Sequence, residues 1–246
     1  MPVPEDVDER VPQELAHEAP VLRSGYLYWV MKVLLTPVLI VAFRPRIEGV
    51  GNVPRQGAAL LACNHTSYLD WLLLPLVVRF RRISFLAKLE YFTRPGLKGR
   101  AQAYFFTATG QVPIDRAGAH VANAALRTAV RLLREGRLVG VFPEGTRTRD
   151  GRLNRGRTGV ARMAAESGVP VVPCATVGPF EVAPPGARVP RPRKIAVRFG
   201  EPMPPVCAPG ESPTAEELRA WTDELMARIC ALSGQEYSGA DAVGRR

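Results

Sequence analysis

Residues 58–70 read Ala-Ala-Leu-Leu-Ala-Cys-Asn-His-Thr-Ser-Tyr-Leu-Asp, and this stretch decides the fold. Residues 58–63 are an unbroken apolar run too short for a helix, the pattern of a strand buried on both faces. The chain turns polar at Asn64 and His65, so the strand ends there and a loop begins. Ser67 or Thr66 then caps a helix running through Leu74, which places Asp70 about one turn in, able to reach back toward His65. On a straight helix, residues five apart point in different directions, so the pair works only because His65 precedes the helix. A neutral imidazole can take a proton from an attacking hydroxyl, and a carboxylate can fix its tautomer and stabilise the imidazolium. The competing account is a capped helix with an incidental histidine.

Outward from this stretch, short apolar runs alternate with helical ones. Residues 83–87 end at Lys88, residues 111–114 at Asp115 and Arg116, and residues 138–142 lead to Glu144 and Arg147. Residues 169–176 and 195–199 supply two more strands. Residues 119–135 carry Leu126, Val130 and Leu133 on one stripe and Arg127, Arg131 and Arg134 on a neighbouring one, and Gly136 terminates them. A last helix begins near Thr214, with Glu217 completing a capping box, and ends around Gly234. The alternation predicts an α/β fold, a mostly parallel mixed sheet flanked by helices. Ligands of such sheets bind beyond the carboxyl ends of the strands, so His65, Lys88, Arg116 and Arg147 converge on one edge.

The second chemical stretch is Phe142-Pro143-Glu144-Gly145-Thr146-Arg147. Gly145 lets backbone approach an anion and Arg147 offers a bidentate fork, with Arg116 as a second fork. Glu144 suits a phosphate contact poorly and is read as orienting Arg147 or bonding a substrate hydroxyl. The chain contains no GxxxxGK, GxGxxG or GxSxG, which disfavours nucleotide hydrolysis, dinucleotide binding and a serine elbow. Cys63 reads as the buried end of its strand, and Ser67 as a cap rather than a nucleophile. Direct attack by a substrate hydroxyl on an activated acyl group needs only a base and stabilisation of the oxyanion.

The length of 246 residues suits one domain. The net charge of +10 conceals an acidic leader, because residues 1–20 hold six carboxylates against Arg10. The remainder is strongly basic, with arginine far outnumbering lysine, which favours nucleic acid, anionic lipid or acidic small substrates. Four separated cysteines without a CxxC and three scattered histidines offer no metal site and suggest reduced core thiols. His17 reads as solvated and His120 as exposed near a helix start.

Residues 1–20 are expected to form a flexible acidic tail, and residues 235–246 another with little to bury. Residues 26–43 are apolar but interrupted by Lys32 and Pro37, a poor span and a poor signal peptide. They read best as a helix in one leaflet, with Tyr26, Tyr28 and Trp29 at headgroup depth and Arg44 and Arg46 meeting lipid phosphates. A buried core helix and a true span are the alternatives. Residues 21–45 thus form a membrane-associated helical segment ahead of a domain at 46–234. Residues 179–194, basic and proline-rich with Phe180 and Val189 as apolar candidates, read as a surface loop or as a lip at the membrane or acyl-donor entrance.

Asn64-His65-Thr66-Ser67-Tyr68-Leu69-Asp70 resembles the NHxSxxD signature of glycerolipid acyltransferases of the lysophosphatidate type. Gly110 to Arg116 resembles their second block, with Pro113 in place of a usual aromatic, while Phe142 to Arg147 and Val169 to Pro173 resemble the third and fourth. The resemblance covers about residues 45–205. It implies acyl transfer from acyl-CoA or acyl carrier protein to the hydroxyl of 1-acylglycerol-3-phosphate, giving phosphatidic acid. His65 would be the base and Asp70 its partner; Arg116, Glu144, Gly145, Thr146 and Arg147 would hold the acceptor head, with Lys88 near the phosphate. No cofactor is implied, since the thioester is a substrate, and no nucleic-acid partner. The family's monotopic association agrees with the reading of residues 26–43 and implies the cytoplasmic side of the cell membrane. The rivals are the same chemistry on another lysolipid, such as a lyso-ornithine lipid or a glycolipid precursor, and a noncatalytic binder of anionic membrane or nucleic acid.

Overall fold

The computed structural model describes residues 25–114, 121–184, 187, 189–208 and 210–239. The strand predicted at 58–63 forms as β2 (Ala59–Cys63), and its alternation divides the core. Ala59, Leu61 and Cys63 face one apolar cluster, Leu60 and Ala62 the other, and all five are fully buried. The remaining strands are β1 (Arg46–Glu48), β3 (Ile83–Lys88), β4 (Gln111–Ile114), β5 (Leu138–Val141), β6 (Val171–Val177) and β7 (Ala196–Phe199). They form one sheet in the order β1-β7-β6-β2-β5-β3-β4. Every neighbouring pair is parallel except β6 and β7, so β1 and β7 run against the other five. The mostly parallel mixed sheet expected from the sequence is the one observed. β1, only three residues long, was not anticipated.

Helices cover both faces. On the first, α1 (Gly25–Phe43) contributes Leu39 and Phe43, and α2 (Asp70–Val77) contributes Leu73, Leu74, Leu76 and Val77. On the second lie α5 (Val121–Arg134), α6 (Gly159–Ser167) and α8 (Ala215–Ser233), burying residues such as Leu132, Val160 and Leu225. The connecting helices are α3 (Glu90–Thr93), α4 (Gly96–Ala108) and α7 (Pro179–Val182). α8 starts with the predicted capping box between Thr214 and Glu217 and stops at Gly234 in the left-handed conformation. Pro113 lies on β4, a sheet edge, where a missing N–H is tolerated.

α1 separates the three readings of the N-terminal segment. Among the described residues no helix is long and apolar enough to cross a membrane. One face of α1 packs on the domain through Tyr28, Leu39 and Phe43. Trp29, Val33, Leu34, Pro37, Val38 and Val41 form an exposed stripe along the other, at helical spacing. The helix is therefore core on one side and uncovered apolar surface on the other.

The expected flexible tail from Gln235 is corrected over its described part. Leu153 donates its N–H to the Glu236 carbonyl, and Ser238 returns an N–H to the Leu153 carbonyl, adding this segment alongside Leu153. The short-range sequence gave no sign of this because the partner lies more than 80 residues away.

Candidate active site

β2 is the point where the chain changes direction across the sheet. It is followed by β3 on one side of it and flanked on the other by β6, with β5 between β2 and β3. Such a switch leaves a crevice at the carboxyl ends of the strands. The loops after β2 and β5 and the end of β6 meet there.

His65 Nδ1 lies 3.0 Å from Asp70 Oδ2. A carboxylate only accepts, so Nδ1 carries the proton and Nε2 is left as the basic nitrogen. The His65 side chain retains 17% exposure while that of Asp70 has none. Asp70 is held on every side: Oδ2 accepts the N–H groups of Thr66 at 2.7 Å and Ser67 at 2.8 Å, and Oδ1 accepts the Thr176 hydroxyl at 2.9 Å. This corrects the capping expectation. α2 begins at Asp70 itself, with no side-chain cap at Leu69, and the Asp70 carboxylate binds the loop amides ahead of the helix. The buried Ser67 hydroxyl keeps a lesser part of that role, accepting the Leu69 N–H at 3.3 Å while donating to the Ala183 carbonyl at 3.2 Å.

The imidazole lies flat on Phe142, with ring centroids 4.0 Å apart and planes 13° apart. Phe142 in turn stacks on Phe85 at 5.7 Å. Gly140 makes this stack possible, because a Cβ there would fall 2.3 Å from the Phe85 ring. The plane of the base is thus set by a column of rings rising from β3 and β5.

Glu144 is buried, and its Oε1 accepts the His65 N–H at 2.8 Å. Oε2 accepts both the backbone N–H and the side-chain amide of Asn154 at 2.9 Å. Burial pushes its carboxyl pKa up, and these bonds pull in the opposite direction. This corrects the reading that Glu144 orients Arg147 or bonds a substrate hydroxyl: its oxygens face the protein. The His65 carbonyl is held by the Thr148 N–H at 2.9 Å, so the loop after β5 clamps His65 through both its main-chain groups.

Gly145, Thr146 and Arg147 are exposed on that same loop. Gly145 has φ 74° and gives its N–H to Phe142 O at 3.0 Å, closing the turn rather than pointing outward. Among the described residues Arg147 makes no hydrogen bond or ion pair, leaving its guanidinium open to solvent. Lys88 closes β3, and its side chain lies outside the described ones; Arg116, with Asp115 and His120, lies outside the described residues, as does His17.

Three participants escaped sequence reasoning. Thr176 reaches Asp70 from the end of β6, Asn154 holds Glu144, and Gln235 accepts the Asn64 side-chain N–H at 2.7 Å. Asn64 also pairs with Thr176 in both directions, accepting its N–H at 2.8 Å and donating to its carbonyl at 3.0 Å. Cys63 and Cys174, opposite one another on β2 and β6, are buried thiols, and burial drives both pKa values up. Neither suits a nucleophile.

The site thus sets a base oriented by a carboxylate beside an open arginine on the loop after β5. The chain belongs to the acyltransferase family, whose sequence profile matches residues 44–177. It is 30% identical over 185 residues to the 1-acyl-sn-glycerol-3-phosphate acyltransferase of Bacillus subtilis, covering 75% of this chain and 85% of that protein. It is likewise 30% identical over 167 residues to the chloroplastic LPAT1 enzyme of Arabidopsis thaliana, spanning 67% of this chain but only 45% of that longer relative. The crystal structure of the 1-acyl-sn-glycerophosphate acyltransferase PlsC from Thermotoga maritima is similar, with TM-score 0.61 and 28% identity, over 82% of this chain and 78% of that one.

Proposed function

We propose that this acyltransferase moves a fatty acyl group from acyl-CoA or acyl carrier protein to the free hydroxyl of 1-acylglycerol-3-phosphate, giving phosphatidic acid. The observation that carries the reading is the His65–Asp70 contact of 3.0 Å, which frees Nε2 at the edge of the sheet. Nε2 takes the proton of the acceptor hydroxyl as its oxygen forms a bond to the thioester carbonyl. The resulting oxyanion collapses, the C–S bond breaks, and the thiolate leaves with the proton from His65. Asp70 keeps the ring in its tautomer throughout and stabilises the transient imidazolium. Arg147 meets the acceptor phosphate, where two parallel N–H bonds suit its oxygens. The family resemblance assigns Arg116 and Lys88 to the same headgroup, and Gly145 and Thr146, exposed on the Arg147 loop, flank its approach.

We infer a peripheral or monotopic position on the cytoplasmic side of the membrane; the exposed stripe of α1 supports the contact with a lipid surface, from which the acceptor is delivered. Assay of the purified protein in mixed micelles against a panel of lysolipids, with both thioester donors, tests the assignment. Lysophosphatidate should be the preferred acceptor and His65→Ala should abolish transfer; turnover retained in that variant would overturn the mechanism. Preference for a lysolipid without phosphate, with Arg147 dispensable, would instead favour the lyso-ornithine or glycolipid reading. Salt-dependent binding to anionic vesicles with no turnover would favour the noncatalytic one.

A further inference from the structure

The edge of the sheet opposite His65 holds a second cleft. It has a volume of about 210 Å³ and is lined by Arg81, Arg82, Ser84, Gly136 and Arg137. Ile83 on β3 pairs with Leu138 on β5, so Arg82 and Arg137 stand side by side just ahead of the two strands.

The three arginines are differently engaged. Arg81 gives Nη1 to the Pro54 and Gly57 carbonyls and Nη2 to Gly136, so it frames the cleft. Arg82 lies over the Tyr28 ring at 4.8 Å and donates Nη2 to the Thr107 carbonyl at 3.3 Å. Its Nε is buried with no acceptor, and so is Nη1 of Arg137. The carboxylate paired with this group is Glu135, 2.7 Å from Arg137 Nη2. Burial and the charge of Arg137 both lower the pKa of Arg82, which marks the two cations as near neighbours. Holding two guanidinium groups side by side against a single carboxylate is costly unless an anion joins them. The Ser84 hydroxyl lies on the same wall and can donate as well.

We propose that this cleft is a binding site for a phosphate group, separate from the catalytic edge, and supplied either by a free phosphoester or by the headgroup of an anionic lipid. Guanidinium pairs of this kind match the oxygens of phosphate. Because Arg82 rests on Tyr28, an anion seated here also touches the packing of α1, the helix with the exposed apolar stripe.

The test uses full-length protein carrying Arg147→Ala, which removes the open cation at the catalytic edge, with and without Arg137→Gln. Inorganic phosphate is titrated by calorimetry in one arm. In the other, the same pair is floated with phosphatidylcholine vesicles with and without phosphatidylglycerol. We expect Arg137→Gln to weaken phosphate binding at least tenfold, or to reduce phosphatidylglycerol-dependent flotation to a similar degree. Loss in the first arm identifies a free phosphoester as ligand, and loss in the second alone identifies a lipid headgroup. Arg137→Lys, which keeps the charge but loses the planar fork, should restore the binding only in part, and an unchanged unfolding temperature in Arg137→Gln separates a lost ligand contact from a lost fold. Identical binding with and without Arg137→Gln in both arms would overturn the proposal.

Discussion

Asp70 holds the His65 ring through the same oxygen, Oδ2, that receives the main-chain N–H groups of Thr66 and Ser67. Orientation of the base and closure of the loop that carries it are therefore one interaction. Asp70→Asn places a group that also donates among four donors, His65 Nδ1, the two loop amides and the Thr176 hydroxyl. It should lower kcat by roughly 10²–10⁴-fold and cost about 1–3 kcal/mol of stability. His65→Ala should abolish transfer with little change in unfolding temperature. Steady-state kinetics beside thermal unfolding distinguish the two variants; equal destabilisation by both would contradict the shared role of Oδ2.

Arg147 makes no internal contact among the described residues, so its removal should not disturb the fold. Charge-assisted hydrogen bonds contribute about 1.5–3 kcal/mol. Arg147→Ala should accordingly raise KM for the phosphorylated acceptor by roughly 10- to 100-fold, with donor KM and unfolding temperature unchanged. An effect confined to donor KM would reassign the residue.

Gln235 ties the loop after β2 to the loop after β5, accepting from Asn64 at 2.7 Å and donating to the Gly151 carbonyl at 2.7 Å. Gln235→Ala leaves the buried Asn64 amide short of one acceptor, a loss of about 1–3 kcal/mol. Since Asn64 adjoins His65, kcat should fall while acceptor KM stays within about twofold. Denaturant unfolding and kinetics on the same preparation test this, and unaltered kcat in a destabilised variant would confine Gln235 to a structural role.

Lys32 is a cation on the largely apolar α1, donating to the Val78 carbonyl at 2.7 Å, and burial, aided by the charge of Arg79, lowers its pKa to about 8. With the folded value below the unfolded one near 10.5, the unfolded chain binds more protons between about pH 8 and 10.5. The contribution of Lys32 to stability therefore improves as pH rises through that window and is worst below it. Lys32→Met should gain unfolding temperature relative to the parent at pH 7, and the difference should shrink by pH 10.5. A difference independent of pH would show that Lys32 is not desolvated.

The strands and the His65–Asp70 pair were legible because each depends on residues close in sequence. Apolar runs bounded by polar residues identify β2 and β5, and the spacing of Leu126, Val130 and Leu133 identifies α5. Two site residues were placed correctly but given the wrong work. Ser67 looked like the cap by residue type, yet it takes only the Leu69 N–H, and the stronger acceptor, Asp70, takes the amides of Thr66 and Ser67. Glu144 looked available to Arg147, yet His65 and Asn154 hold it in the interior. The contacts of Thr176 and Gln235 with the site follow from which strands lie side by side and where the chain returns after α8. Neither relation is encoded within any window of the sequence. The double character of α1 was half visible: periodicity showed an apolar helix, while only packing could show which side remains uncovered.

The bond between Asn64 and Gln235 spans 171 positions, and Gln235 follows directly on the Gly234 that ends α8. Closing so long a loop is slow compared with forming the local turn that brings His65 to Asp70. The acid–base pair rests on local contacts, while the loop beneath it is braced by a contact of long sequence separation. The chemical groups thus come from one short stretch, while part of the rigidity beneath them comes from the far end of the chain.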